Sequence, residues 1–107
     1  MIHNKLVRDQ IPAIIAKKGD SVRVRRLSGD KLFEALTDKL LEEAAEFAND
    51  PSAEELADVL EVVEALAQHV GIEAVADAKR RKARDRGRFK DGVFLVETKL
   101  SHTTGGP

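Results

Sequence analysis

The sequence predicts a mostly α domain built on an antiparallel helical hairpin, with one or two short β-strands. Three observations predict it. Apolar residues recur three and four apart through two long stretches, 32–48 and 56–70. A compact turn signal, Asn49-Asp50-Pro51-Ser52, separates those stretches. Charged residues make up 35% of the 107-residue chain and hydrophobic ones 42%. The first figure exceeds the ~25% average and suits helices with solvated faces, while the second still supplies a core.

The elements follow in order. Residues 1–8 read as extended. Asp9 is placed to cap a first helix reaching about Lys18, with Pro12 tolerated in its first turn and Gly19 ending it. Ser21–Leu27, where Val22, Val24 and Leu27 sit among arginines, reads as a short strand. A second helix starts near Ser28–Asp30 and runs to about Asn49, with Leu32, Phe33, Leu36, Leu40, Leu41, Ala44, Phe47 and Ala48 as its apolar positions. Ser52 and Glu55 form a capping box that opens a third helix. Its expected buried stripe is Leu56, Val59, Leu60, Val63, Leu66, Ala67 and Val70, and Gly71 ends it. A fourth helix covers about Ile72–Arg86, with Gly87 as its stop. Asp91-Gly92 is a turn, Val93–Glu97 a second short strand, and 101–107 a frayed tail, so residues 1–100 form one domain. The short turn makes helices two and three antiparallel neighbours.

Composition excludes several classes. Cys is absent, so there is no disulfide framework and no thiol nucleophile. No apolar run nears the ~20 residues of a membrane span, and the start of the chain lacks a signal-peptide core. These features predict a cytoplasmic protein. With no Trp or Tyr and four Phe, the chain lacks the usual stacking platforms for single-stranded nucleic acid.

The formal net charge of −1 hides segregation. Residues 42–64 carry nine acids and no base, and residues 79–90 carry eight bases and one acid. On the second helix Glu43 and Glu46 lie three apart, and on the third Glu55 and Asp58 do the same, so each pair shares a face. The turn lets the pairs meet across the hairpin. Four converging carboxylates repel one another, and a hard divalent cation such as Mg²⁺ relieves that repulsion through oxygen ligands and bridges to phosphates. From spacing alone, a solvated acidic surface explains the cluster as well as a metal site does. The apolar neighbours of Asp58 and the absence of any base across 42–64 favour the site. The register stays open. Glu42/Glu46 and Glu54/Asp58 also share faces, and Asp58/Glu61 is a further pair that makes Glu61 an alternate ligand or a ligand-orienting group.

The run Glu42-Glu43-Ala44-Ala45-Glu46 followed by Glu55-Leu56-Ala57-Asp58 resembles the E-E-x-x-E…E-x-x-D signature of the all-α nucleoside triphosphate pyrophosphohydrolases, which include MazG and phosphoribosyl-ATP pyrophosphohydrolase. The wider chain is similar to the short MazG-like group. Asn4-Lys5-Leu6-Val7-Arg8-Asp9-Gln10-Ile11-Pro12 resembles its N-K-L-V-R-D-K-I-P opening, with Gln10 for Lys. Arg86-Gly87-Arg88-Phe89 and Gly92-Val93-Phe94-Leu95-Val96 resemble its R-G-G-F…L-V ending, with Arg88 for Gly. The hairpin is shorter than in MazG proper, with eight residues between Glu46 and Glu55. The resemblance covers about residues 3–97. It implies a Mg²⁺-dependent enzyme, with Mn²⁺ as the alternative ion, that cleaves between the α and β phosphates of a nucleotide. It implies Glu43, Glu46, Glu55 and Asp58 as metal ligands. It also implies a homodimer or dimer of dimers in which helices of two subunits form a four-helix bundle.

The residue types suit that chemistry. Glu42 or Glu46 is placed to take a proton from the attacking water. Lys and Arg would hold the outgoing phosphates: Lys5 and Arg8 near the start, and Lys79, Lys82, Arg86 and Arg88 near the end. Lys79, Lys82 and Arg86 share a helix face, although bases in the last turns of a helix also complement its dipole without a ligand. His3, His69 and His102 are scattered and carry no catalytic assignment; His69 is read as a helix-end cap. Phe33, Phe47 and Phe89 are read as packing residues. Two competing readings are a nucleic-acid-binding helical module using 79–90 and a non-catalytic helical interaction module. The acidic hairpin would repel a polyanion, which counts against the first.

Overall fold

The computed structural model describes residues 1–100. The expected tail, 101–107, lies outside the described residues. Four helices are present: α1 (Ile11–Lys17), α2 (Gly29–Asn49), α3 (Ala53–Val70) and α4 (Ile72–Arg86). The chain divides into two compact units, Met1–Ala76 and Asp77–Pro107. The first holds α1, α2, α3 and the start of α4. The second holds the rest of α4. No described helix is long and apolar enough to cross a membrane.

Local chemistry explains the helix limits. Pro12 stands in the first turn of α1, where its missing N–H would have had no partner. Gln10, not Asp9, occupies the N-cap of α1, and no side chain caps it. Ser52 has extended backbone and accepts a hydrogen bond from the Glu55 N–H at 3.2 Å, one half of the capping box. Gly71 takes φ +120°, a conformation that L side chains rarely adopt, and its N–H donates to the Ala67 carbonyl at 2.8 Å. α3 therefore stops at that residue and α4 begins at the next.

α2 and α3 pack against each other as the antiparallel hairpin. Phe33, early in α2, meets His69, late in α3, with ring centroids 5.8 Å apart. His69 thus lies against an aromatic ring across the hairpin. Leu36 and Val62 are the buried hydrophobic residues among those described.

Two expectations are corrected here. The α3 face turned toward α2 runs through Val62, with Asp58, Val59, Ala65 and Leu66 half-buried, whereas Leu56, Leu60, Val63 and Val70 are exposed. The sequence stripe combined residues of two faces, because an apolar residue at helical spacing does not say which neighbour covers it. The two strands are also absent: none of the described residues is in a β-strand. A strand exists only through a ladder to a partner, and neither 21–27 nor 93–97 has one among the described residues. Phe94 and Val96 are both more than 80% exposed.

Leu36→Ala should destabilise the hairpin by about 2–5 kcal/mol, and Ser52→Ala by about 1 kcal/mol. Leu41→Ala, at a 68% exposed position, should have much the smallest effect of the three. Urea unfolding followed by circular dichroism checks the order.

Candidate metal centre

Glu43 lies six residues before the end of α2, and Glu55 and Asp58 lie in the first two turns of α3. The turn between the helices folds these positions onto one level of the hairpin. Glu43, Glu55 and Asp58 each offer a carboxylate oxygen, and these atoms all lie within 4.8 Å of one another. They form a carboxylate set able to hold a metal ion. Oxygen-only donors of this kind suit hard divalent cations.

The set is not an ordinary solvated acidic face. The Glu43 side chain is only 10% exposed. One oxygen of Glu43 and one of Glu55, both Oε2, are buried without a hydrogen-bond partner. Buried carboxylate oxygens are normally satisfied, and leaving one bare is costly. Burial pushes the Glu43 carboxyl above its ordinary value; the neighbouring Glu46 adds to the rise by hydrogen bonding and charge, and Lys39 opposes it.

Two cations from outside the acidic run partly balance it. Arg8 donates to Asp58 Oδ1 at 2.8 Å and lies 3.9 Å from Glu61. Its guanidinium is held above its ordinary value mainly by the Asp58 hydrogen bond. Lys39 Nζ lies 3.1 Å from Glu42 Oε2 and 3.4 Å from Glu43 Oε1. Burial pulls the Lys39 ammonium down, but its bonds to Glu42 and Glu43 outweigh that and raise it.

Glu43, Glu55 and Asp58 come together. Glu46 is exposed and outside that set, beside Glu43. Glu42 is tied to Lys39, and Glu61 stands near Arg8. Lys5 is exposed on the N-terminal segment. Lys79, Lys82 and Arg86 are exposed on α4. Within the second unit Arg80 pairs with Asp77, and Arg84 with Asp85 at 3.0 Å.

Lys39 was missed in the sequence. The signal was available: it stands three residues before Glu42 and four before Glu43, the spacing of helical ion pairs. The Arg8–Asp58 bond spans fifty residues and leaves no mark in local spacing. Comparison with family models, with curated proteins and with solved structures yields no match to this chain.

The raised Glu43 value sets a sign for pH dependence. Just above its ordinary value of 4.5, the folded chain binds more protons than the unfolded one. The stability this group contributes is full below the ordinary value and is lost as pH rises through the raised one. Glu43→Gln should therefore melt higher than the native chain in chelator at neutral pH. The difference should shrink as pH falls to about 4. Thermal melts by circular dichroism across that range check it; a variant that melts lower at neutral pH contradicts the charge-burial argument.

Proposed function

We propose that this chain is a Mg²⁺-dependent nucleotide pyrophosphohydrolase that hydrolyses a nucleoside triphosphate to the monophosphate and pyrophosphate, as its resemblance to the MazG-like group implies. The observation that carries the reading is the pair of buried, unpartnered oxygens on Glu43 and Glu55, within one set with Asp58. An acidic surface that served only solubility would leave those oxygens in water. A bound divalent ion would supply the charge neutralisation and water activation that attack on phosphorus needs.

The chain's own groups divide the remaining work. Glu43, Glu55 and Asp58 hold the cation, with Glu46 as the fourth proposed ligand and Glu61 in support. Of the two proposed bases, Glu42 is held in an ion pair with Lys39. Glu46 is exposed and has no such ion pair among the described residues, which favours it as acceptor of the water's proton. The water oxygen forms the new bond to the α-phosphorus as the bond to the bridging oxygen breaks. Pyrophosphate leaves with the negative charge. Lys5 and Arg8 are proposed to meet that charge.

We further propose a homodimer or dimer of dimers. Leu56, Leu60 and Val63 lie at four- and three-residue spacing on one face of α3 and are 45%, 57% and 41% exposed. A second copy laid against that face would bury it and complete a four-helix bundle.

Three measurements test these proposals. Mg²⁺ at about a hundred times its dissociation constant should stabilise the native chain by about 2.7 kcal/mol. Glu55→Gln and Asp58→Asn should remove most of that gain. Pyrophosphate release from a nucleotide panel should require Mg²⁺ and fall by a factor of about 10² or more in Glu46→Ala. No turnover on any nucleotide, or turnover unchanged in Glu46→Ala, overturns the enzymatic reading. Sedimentation equilibrium should give a multiple of the 11.8 kDa chain mass, with Leu60→Glu shifting it toward the single chain.

A further inference from the structure

Two grooves lie outside the carboxylate set among the described residues, sharing Asn4, Arg23, Val24 and Arg25; the one that also meets α2 carries the inference. It lies within the first unit, between the N-terminal segment, the segment 23–27 and the outer side of α2, with a volume of about 790 Å³. Six bases line it: Lys5, Arg8, Arg23, Arg25, Arg26 and Lys39. Only three carboxylates do, Asp9, Asp38 and Glu42. Arg23, Arg25 and Arg26 fall within four consecutive residues, are exposed, and have no carboxylate in ion-pair range among the described residues. Like charges gathered on one wall without counter-charges raise a positive potential there. Arginine is the base best suited to bidentate contact with phosphoryl oxygens.

Two residues of the groove contact the carboxylate set. Arg8 lines the groove and bonds Asp58; Lys39 lines it and lies 3.4 Å from Glu43. A negative ligand in the groove would therefore lie beside the two cations that contact the carboxylate set. We infer that Arg23, Arg25 and Arg26, with Lys5 and Lys39, form a subsite for a linear polyphosphate, the β and γ phosphoryl groups of the substrate. This inference rests on the hydrolase reading for its place in the reaction, but binding in the groove requires neither metal nor turnover. It gives the segment 21–27, which forms no strand, a role as the basic wall opposite Lys5.

Inorganic tripolyphosphate titrated into the full chain in chelator tests this. Calorimetry should give binding that weakens as salt rises, and amide shifts should gather at residues 5–8 and 23–27. The triple variant Arg23→Ser/Arg25→Ser/Arg26→Ser should bind at least about tenfold more weakly. Lys17→Ser/Lys18→Ser, which removes two bases from the end of α1, should bind as the native chain does. Should the triple variant lose its helical signal, Arg25→Glu alone should weaken binding several-fold. Unchanged affinity in either arginine variant, or amide shifts confined to 79–90, overturns the subsite. Binding that meets these expectations without hydrolysis of any nucleotide removes the hydrolase reading and leaves the groove standing. Hydrolysis with KM unchanged in the folded triple variant does the reverse.

Discussion

The first unit is organised around a carboxylate that ought not to be dry. Glu43 is buried on the inner face of α2, where it meets Glu55 and Asp58 of α3. Three acids this close repel one another, and burial strengthens the repulsion because little water screens it. The hairpin tolerates the arrangement through two cations from outside the acidic run. Lys39 reaches Glu43 from one turn earlier on α2, and Arg8 reaches Asp58 from the N-terminal segment. The position of that segment follows from the need for compensation. So does the half-buried state of Lys39, a residue type that normally keeps its ammonium in water.

The same geometry divides α3 into two working faces. One presents Glu55, Asp58 and Val62 toward α2, joining acids and core along a single stripe. The other carries Leu56, Leu60 and Val63 outward. With Leu36 and Val62 as the buried hydrophobic residues among those described, the hairpin gains little from its own interior. Association through the outer face would therefore stabilise the very helix that holds two of the three carboxylates. In such an assembly, stability and the site would be coupled through α3.

What the sequence disclosed follows from the range of each interaction. The three longer helices were legible because spacing, the turn at 49–52 and the glycine at 71 are local signals. Glu55 and Asp58 were legible as a face because three-residue spacing fixes it. Glu43 followed from the turn. The strands were misread because Val22, Val24 and Val93–Val96 have strand composition, and composition cannot reveal that no ladder partner exists. The buried stripe was misread because α3 is apolar on two faces, and periodicity counts both. Arg8's bond to Asp58 and the placement of the 23–26 run beside Lys5 are tertiary events. No window of adjacent residues contains them.

The fifty-residue separation between Arg8 and Asp58 also bears on the order of assembly. Facing residues of α2 and α3, such as Glu43 and Glu55, are twelve apart, so the hairpin closes a much shorter loop than the Arg8–Asp58 bond does. The N-terminal segment is synthesised before either helix, yet its anchor does not exist until α3 has emerged. Until then its bases are free to meet any anion in the surroundings. The first part of this unit to be made is thus fastened through Arg8 only after α3 has been made.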